Sequence, residues 1–100
     1  MDSLALPPGW VKPTPGYSDG VLPELQLELA KGHELFGAAL ELIAGRLDCD
    51  DILVHDVSRD IYVVVHLTWR GAPEQPPCPT IEMSGSWDAF REWSVPRYDS

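Results

Sequence analysis

The sequence predicts a small α+β domain: a mostly antiparallel sheet of about four strands, with an N-terminal and a C-terminal helix packed on one face. Three observations lead there. Ile61, Val63, Val65, Leu67 and Trp69 alternate with Tyr62, Val64, His66 and Thr68, and a β-branched, aromatic-rich run of period two is a strand. The run Asp51–Val57 reads the same way and is joined to it through Ser58-Arg59, which makes a hairpin. Apolar residues at helical spacing bracket this pair on both sides. With 100 residues the chain makes one domain.

Residues 1–20 read as an irregular, proline-rich arm. Pro7, Pro8, Pro13 and Pro15 lie among Gly9 and Gly16, and proline lacks the amide donor that helix and inner strand need. Trp10 and Tyr17 are the side chains that can pin the arm to the domain, which spans 21–95 and leaves a tail at 96–100. A helix is expected over 21–32, with Pro23 in its first turn and Gly32 as its stop. Val21, Leu22, Leu25 and Leu29 form its apolar side, with Glu24 and Glu28 pointing outward.

Residues 35–47 fit two patterns. Phe36, Leu40, Ile43 and Leu47 make a helical stripe, whereas weak alternation together with Gly37 and Gly45 speaks against a helix. Strands follow near 51–57 and 60–69, then a proline-rich loop and a short strand near 79–84. A last helix is expected at 86–94, with Ser86 as N-cap, Asp88 in its first turn and Trp87, Phe90 and Trp93 on its buried side. Pro96 is expected to end it.

Charge and composition exclude several functions. Sixteen acidic against seven basic side chains give a net charge of −9. Nucleic-acid binding needs clustered Lys and Arg. The start of the chain lacks a basic segment followed by an apolar run, so a secretory leader is not expected. No stretch approaches the ~20 apolar residues of a membrane span. A cytoplasmic protein is expected, with Cys49 and Cys78 as free thiols. No Walker A, G-x-G-x-x-G or G-x-S-x-G motif occurs. No cofactor and no metal are expected: the histidines lack helical zinc spacing, and the acids around Asp48–Asp56 lack the glycine and terminal glutamate of a calcium loop.

A turn symmetric about Ser58-Arg59 sets the hairpin register. Ile52 then faces Val65 and Val54 faces Val63 on one side of the sheet. The other side carries His55 opposite Tyr62, Leu53 opposite Val64, Asp51 opposite His66, and Cys49 opposite Thr68. Opposed residues stand ~4.5–5.5 Å apart at Cβ. A carboxylate beside an imidazole fixes its tautomer and raises its basicity, so His66 with Asp51 is the candidate catalytic pair. His55, Tyr62, Thr68 and His33 are candidate binding residues. A stabilising cross-strand pair accounts for the same two residues.

The stretch Asp50-Asp51-Ile52-Leu53, then Tyr62 to Gly71 with its Val-His-Leu-Thr-Trp string, then Glu74, resembles a family of small uncharacterised bacterial proteins with a D-D-x-L … V-V-H-L-T-W-x-G-x-x-E pattern. Gly32-His33, Leu35 and Gly37 belong to the same resemblance, which covers about residues 32–90. It implies a strand near 39–47 rather than a helix. It carries no activity and no catalytic assignment.

Two functions fit these features. One is a non-enzymatic protein-binding module for a basic partner, antitoxin- or immunity-like by analogy. The other is a small enzyme or metal-binding protein using the histidine/aspartate pair on an open sheet face. Self-association as a homodimer, through that face or a sheet edge, is compatible with the first.

Overall fold

The computed structural model describes residues 6, 9–29, 33–46, 51–68 and 80–98. The elements are β1 (Trp10–Val11), α1 (Pro15–Glu28), β2 (Leu40–Arg46), β3 (Asp51–Asp56), β4 (Ile61–His66), β5 (Thr80–Gly85) and α2 (Trp87–Tyr98). The strands form one sheet in the order β1-β2-β3-β4-β5, every neighbouring pair antiparallel. The α+β class holds, with five strands where about four were expected. No helix among the described residues is long and apolar enough to cross a membrane.

The hairpin register is the expected one, with Asp51 opposite His66, Leu53 opposite Val64 and His55 opposite Tyr62. The connection is longer than two residues. Val57 to Asp60 form a four-residue loop with Asp60 at φ 54°, in the left-handed region that Asp tolerates better than most residues. A four-residue loop centred on Ser58-Arg59 leaves the same partners facing each other as a two-residue one. Residues 40–46 are strand, as the resemblance implies and helical spacing does not. The stripe is misread because β2 carries a bulge at Ile43. One extra residue shifts the side chains beyond it to the other face.

The two helices lie on opposite faces, which corrects the expectation that both cover one. Val21, Leu25 and Leu29 of α1 pack with Leu35, Ile52, Val54, Val63, Val65 and Leu67. Phe90 of α2 packs with Trp10, Ala44, Leu53 and Val64, flanked by Tyr62, Met83, Trp87 and Trp93. The sheet is therefore the middle of three layers. The centre of the second face is as apolar as the first, and full burial of each such side chain contributes roughly 1.5–3 kcal/mol. Gly85 helps bring α2 there. It stands opposite Tyr62, and a Cβ on it would approach Cβ of Ala89 to 3.3 Å.

The proline-rich arm is not irregular throughout. Residues 10–11 pair with β2, and α1 begins at Pro15, where proline suits a first helical position. Pro23 lies inside the helix, not at its start. It removes one backbone bond, yet Val21, Leu25 and Leu29 hold the helix to the sheet on either side of it. Trp10 does pin the arm: it is buried and its Nε1–H donates to Ser94 Oγ at 2.7 Å. Arg46 lies 5.5 Å from the centre of the Trp10 ring. Gly9, at φ +89°, has no room for a Cβ beside the Arg46 guanidinium.

α2 starts as its sequence predicts. Ser86 Oγ accepts the Ala89 N–H at 3.1 Å, and the Ser86 carbonyl accepts the Phe90 N–H at 2.9 Å. It does not stop at Pro96 but runs to Tyr98. Among the expected features, Lys31 and Gly32, Cys49 and Cys78, Trp69 and the proline-rich loop lie outside the described residues.

Candidate functional site

The six candidate residues fall into separate groups. On the α2 side of the sheet, Asp51, Leu53 and His55 occupy alternate positions of β3. Four residues of strand set Asp51 and His55 about 13 Å apart. Leu53 and Val64, both fully buried under α2, separate them. The polar groups thus stand at the two ends of an apolar middle, and the face is covered rather than open.

At one end, His66 Nδ1 donates to Asp51 Oδ1 at 2.8 Å. The Asp51 side chain is 11% exposed and that of His66 47%. A largely buried carboxylate therefore orients a half-exposed ring. With the proton held on Nδ1, the Nε2 atom of the neutral ring is basic. This geometry suits a general base or a fixed hydrogen-bonding group. It equally suits a cross-strand pair that closes the end of the sheet.

At the other end, His55 stacks on Tyr62 with ring centroids 4.8 Å apart. Its Nε2 lies 2.8 Å from Asp60 Oδ1 and its Nδ1 3.5 Å from Glu41 Oε1. A ring with a carboxylate at each nitrogen is best satisfied with two protons. The bond to Asp60 is the main cause of a His55 pKa above its ordinary 6.5; burial opposes it and Glu41 adds to it. His55 thus ties β2, β3 and the hairpin loop together. Tyr62 continues into an aromatic file: Trp87 at 5.2 Å, Phe90 a further 5.2 Å on, and Trp10 5.3 Å beyond.

His33 and Thr68 are explained by local structure. His33, buried in the turn before β2, accepts the Leu35 N–H on Nδ1 at 3.0 Å. The Thr68 N–H donates to Glu28 Oε1 at 3.0 Å. Glu28 is wholly buried, which corrects its expected outward position. Its spacing already indicated this: it lies seven residues after Val21 and three after Leu25, on the buried side of the helix.

Sequence reasoning also missed Asp56. Its carboxylate is fully buried and accepts the N–H groups of Ser58 and Arg59 at 3.1 and 3.3 Å, and Arg59 Nε–H at 2.8 Å. Burial works to raise its pKa, but these bonds outweigh it and the net shift is downward. The same contact raises Arg59. An Asp followed by a loop Ser-Arg was the available signal.

Among the described residues, no buried side-chain polar atom lacks a hydrogen-bond partner. No group of three or more His, Cys, Asp or Glu among them is placed to hold a metal ion. No protein-family model, curated protein or solved structure matches the chain.

Proposed function

We propose that the chain is a protein-binding module whose partner presents a basic surface. The observation that carries this reading is where the charges go. Arg46 is buried against Trp10, and Arg59 is engaged with buried Asp56 and with Glu34. Asp19, Glu82, Asp88 and Glu92 are exposed. Two of the seven basic groups and three of the sixteen acidic ones (Glu28, Asp51 and Asp56) are thus spent within the fold, which leaves thirteen acidic against five basic groups. Such a surface speeds encounter with a positively charged partner and disfavours acidic ones. Antitoxin and toxin-immunity proteins offer the nearest analogy of character. The face first considered for self-association is covered by α2, which leaves the edge strands β1 and β5 for that role.

The test is capture of a partner from a bacterial lysate, followed by association kinetics at rising salt. A basic partner is expected, with an association rate that falls by about 10-fold or more between low and physiological ionic strength. Replacing Glu82, Asp88 and Glu92 by their amides should slow it further. A partner whose association ignores both salt and these substitutions would refute the reading.

A second reading rests on a different observation. Asp51 and His66 combine a buried carboxylate, a 2.8 Å bond and a half-exposed ring, the arrangement of an oriented general base. On this reading the chain is a small enzyme or metal-binding protein, with His66 as base or ligand and Asp51 as its orienter.

A further inference from the structure

The sheet has two edges, and they differ. β1 has two residues, whereas β5 has six, with Glu82 as its single charge and neither Lys nor Pro. Among the described residues β4 is the one strand neighbour of β5. Backbone N–H and C=O groups alternate in direction along a strand, so every second residue of β5 turns both groups away from β4. None of the six residues of β5 is buried, while five of the six in β3 are. The outer side of β5 thus meets water, and a further strand can pair there.

The charges beside this edge indicate what such a strand carries. Glu82 is exposed on β5, and Asp88 and Glu92 are exposed on α2, which begins two residues after Gly85. Arg91 is the one base between residues 80 and 94. A second copy of the chain is a poor fit. It brings the same net charge of −9. Pairing β5 with itself about a two-fold axis also sets Glu82, near the middle of the strand, close to its own copy. Glu82 is moreover the extra residue of the bulge, between Ile81 opposite Val65 and Met83 opposite Val64. A bulge breaks the regular ladder that two rigid copies need, whereas a flexible segment adapts to it.

We propose that the outer edge of β5 takes an extended segment of the partner as a sixth strand, with a Lys or Arg side chain beside Glu82. This rests on the reading of the chain as a module for a basic partner and deepens it by naming where and how that partner docks. Backbone hydrogen bonds to β5 supply the attachment, and the opposed cation beside Glu82 selects the charge. Asp88 and Glu92 act at longer range, by attraction during encounter.

The experiment uses the full chain and an acetylated, amidated peptide of sequence Lys-Val-Lys-Val-Lys-Val, followed by NMR. The control is the same peptide N-methylated at its two central residues, which blocks both of its edges and leaves its charge unchanged. Shift changes are expected along Thr80–Gly85, with every second amide of that strand gaining about 10-fold or more protection from hydrogen exchange at saturation. The N-methylated peptide should bind about 10-fold or more weakly. Salt-dependent binding that N-methylation does not weaken, with the β5 amides unchanged, overturns the edge and leaves the charge reading standing. Binding of neither peptide also overturns the edge, while the charge reading is judged by the salt dependence of the captured partner. A free chain that light scattering shows to be a dimer, with the outer β5 amides already protected, gives the edge to a second copy and overturns the proposal.

Discussion

Arg59 reaches back three residues to place its Nε–H 2.8 Å from Asp56 Oδ2, so the hairpin loop is closed over a buried carboxylate by its own guanidinium. Asp56 ends β3 and collects three donors, all from the loop that follows. Its loss leaves those donors unpaired. Asp56→Ala should therefore cost about 2–3 kcal/mol in chemical unfolding, and Asp56→Asn less, because the amide oxygen still accepts the loop N–H groups.

The same carboxylate sets an acid limb. Its folded pKa lies below the ordinary 3.8, so its contribution is fully present above that value. It is lost as pH falls through the lower, folded value. Unfolding free energies measured from pH 5 downward should decline less steeply in Asp56→Asn than in the wild type. Parallel slopes would contradict this.

His55 acts in the opposite direction. Its folded pKa is raised above 6.5, so the stabilisation from Asp60 and Glu41 is complete below 6.5 and is lost as pH rises through the folded value. Denaturant titrations at pH 6 and pH 9 should show His55→Gln costing more at pH 6. An equal cost at both values would mean that the stacking on Tyr62, and not the charge, is what matters. High salt should narrow the difference, since Asp60 is 87% exposed.

The placement of α2 is tested by Phe90. This ring is fully buried among Trp10, Ala44, Leu53 and Val64, so Phe90→Ala should cost about 3–5 kcal/mol. A helix resting elsewhere would leave the ring exposed and the change within about 0.5 kcal/mol of neutral. Ser86→Ala, which removes the N-cap bond to Ala89, should cost about 1 kcal/mol.

For Asp51 and His66, a double-mutant cycle should give a coupling of about 0.5–1 kcal/mol, the range of a cross-strand charged pair with one partner half in water. Nitrogen-detected NMR of the histidines should show the His66 neutral form protonated at Nδ1, and Asp51→Ala should remove that preference. A ring protonated at Nε2 would contradict the bond.

The sheet was readable where one rule decides it. Period-two alternation and a loop symmetric about Ser58-Arg59 place Asp51 against His66 and His55 against Tyr62 without reference to anything distant. The bulges at Ile43 in β2 and between the Val64 and Val65 partners in β5 obey no such local rule. Nor did every proline mark a helix end, although Pro15 begins α1. Pro23 and Pro96 both fall within helices, and around Pro23 the packing of Val21, Leu25 and Leu29 outweighs a missing backbone bond. The face chosen by α2 was the largest gap. Both faces of the β3–β4 hairpin are apolar at their centre, and alternation alone cannot say which of two such faces a later helix will cover. The site was legible as pairs and not as a cluster, since register gives neighbours across a strand but not the four-residue separation of His55 from Asp51.

The bond between Trp10 and Ser94 has an architectural consequence. All strand neighbours are successive in the chain, so a path drawn along the sheet never crosses itself, and the contacts of Trp10 with Ser94 and Phe90 bring β1 beside the last helix. The described polypeptide is close to a closed circuit. A short flexible link from the end of α2 back to the segment before β1 should let the chain be opened instead at Ser58-Arg59, in an exposed loop. Such a rewired protein would keep all five strands, while β3 and β4, now the most local of pairings, would become the most remote.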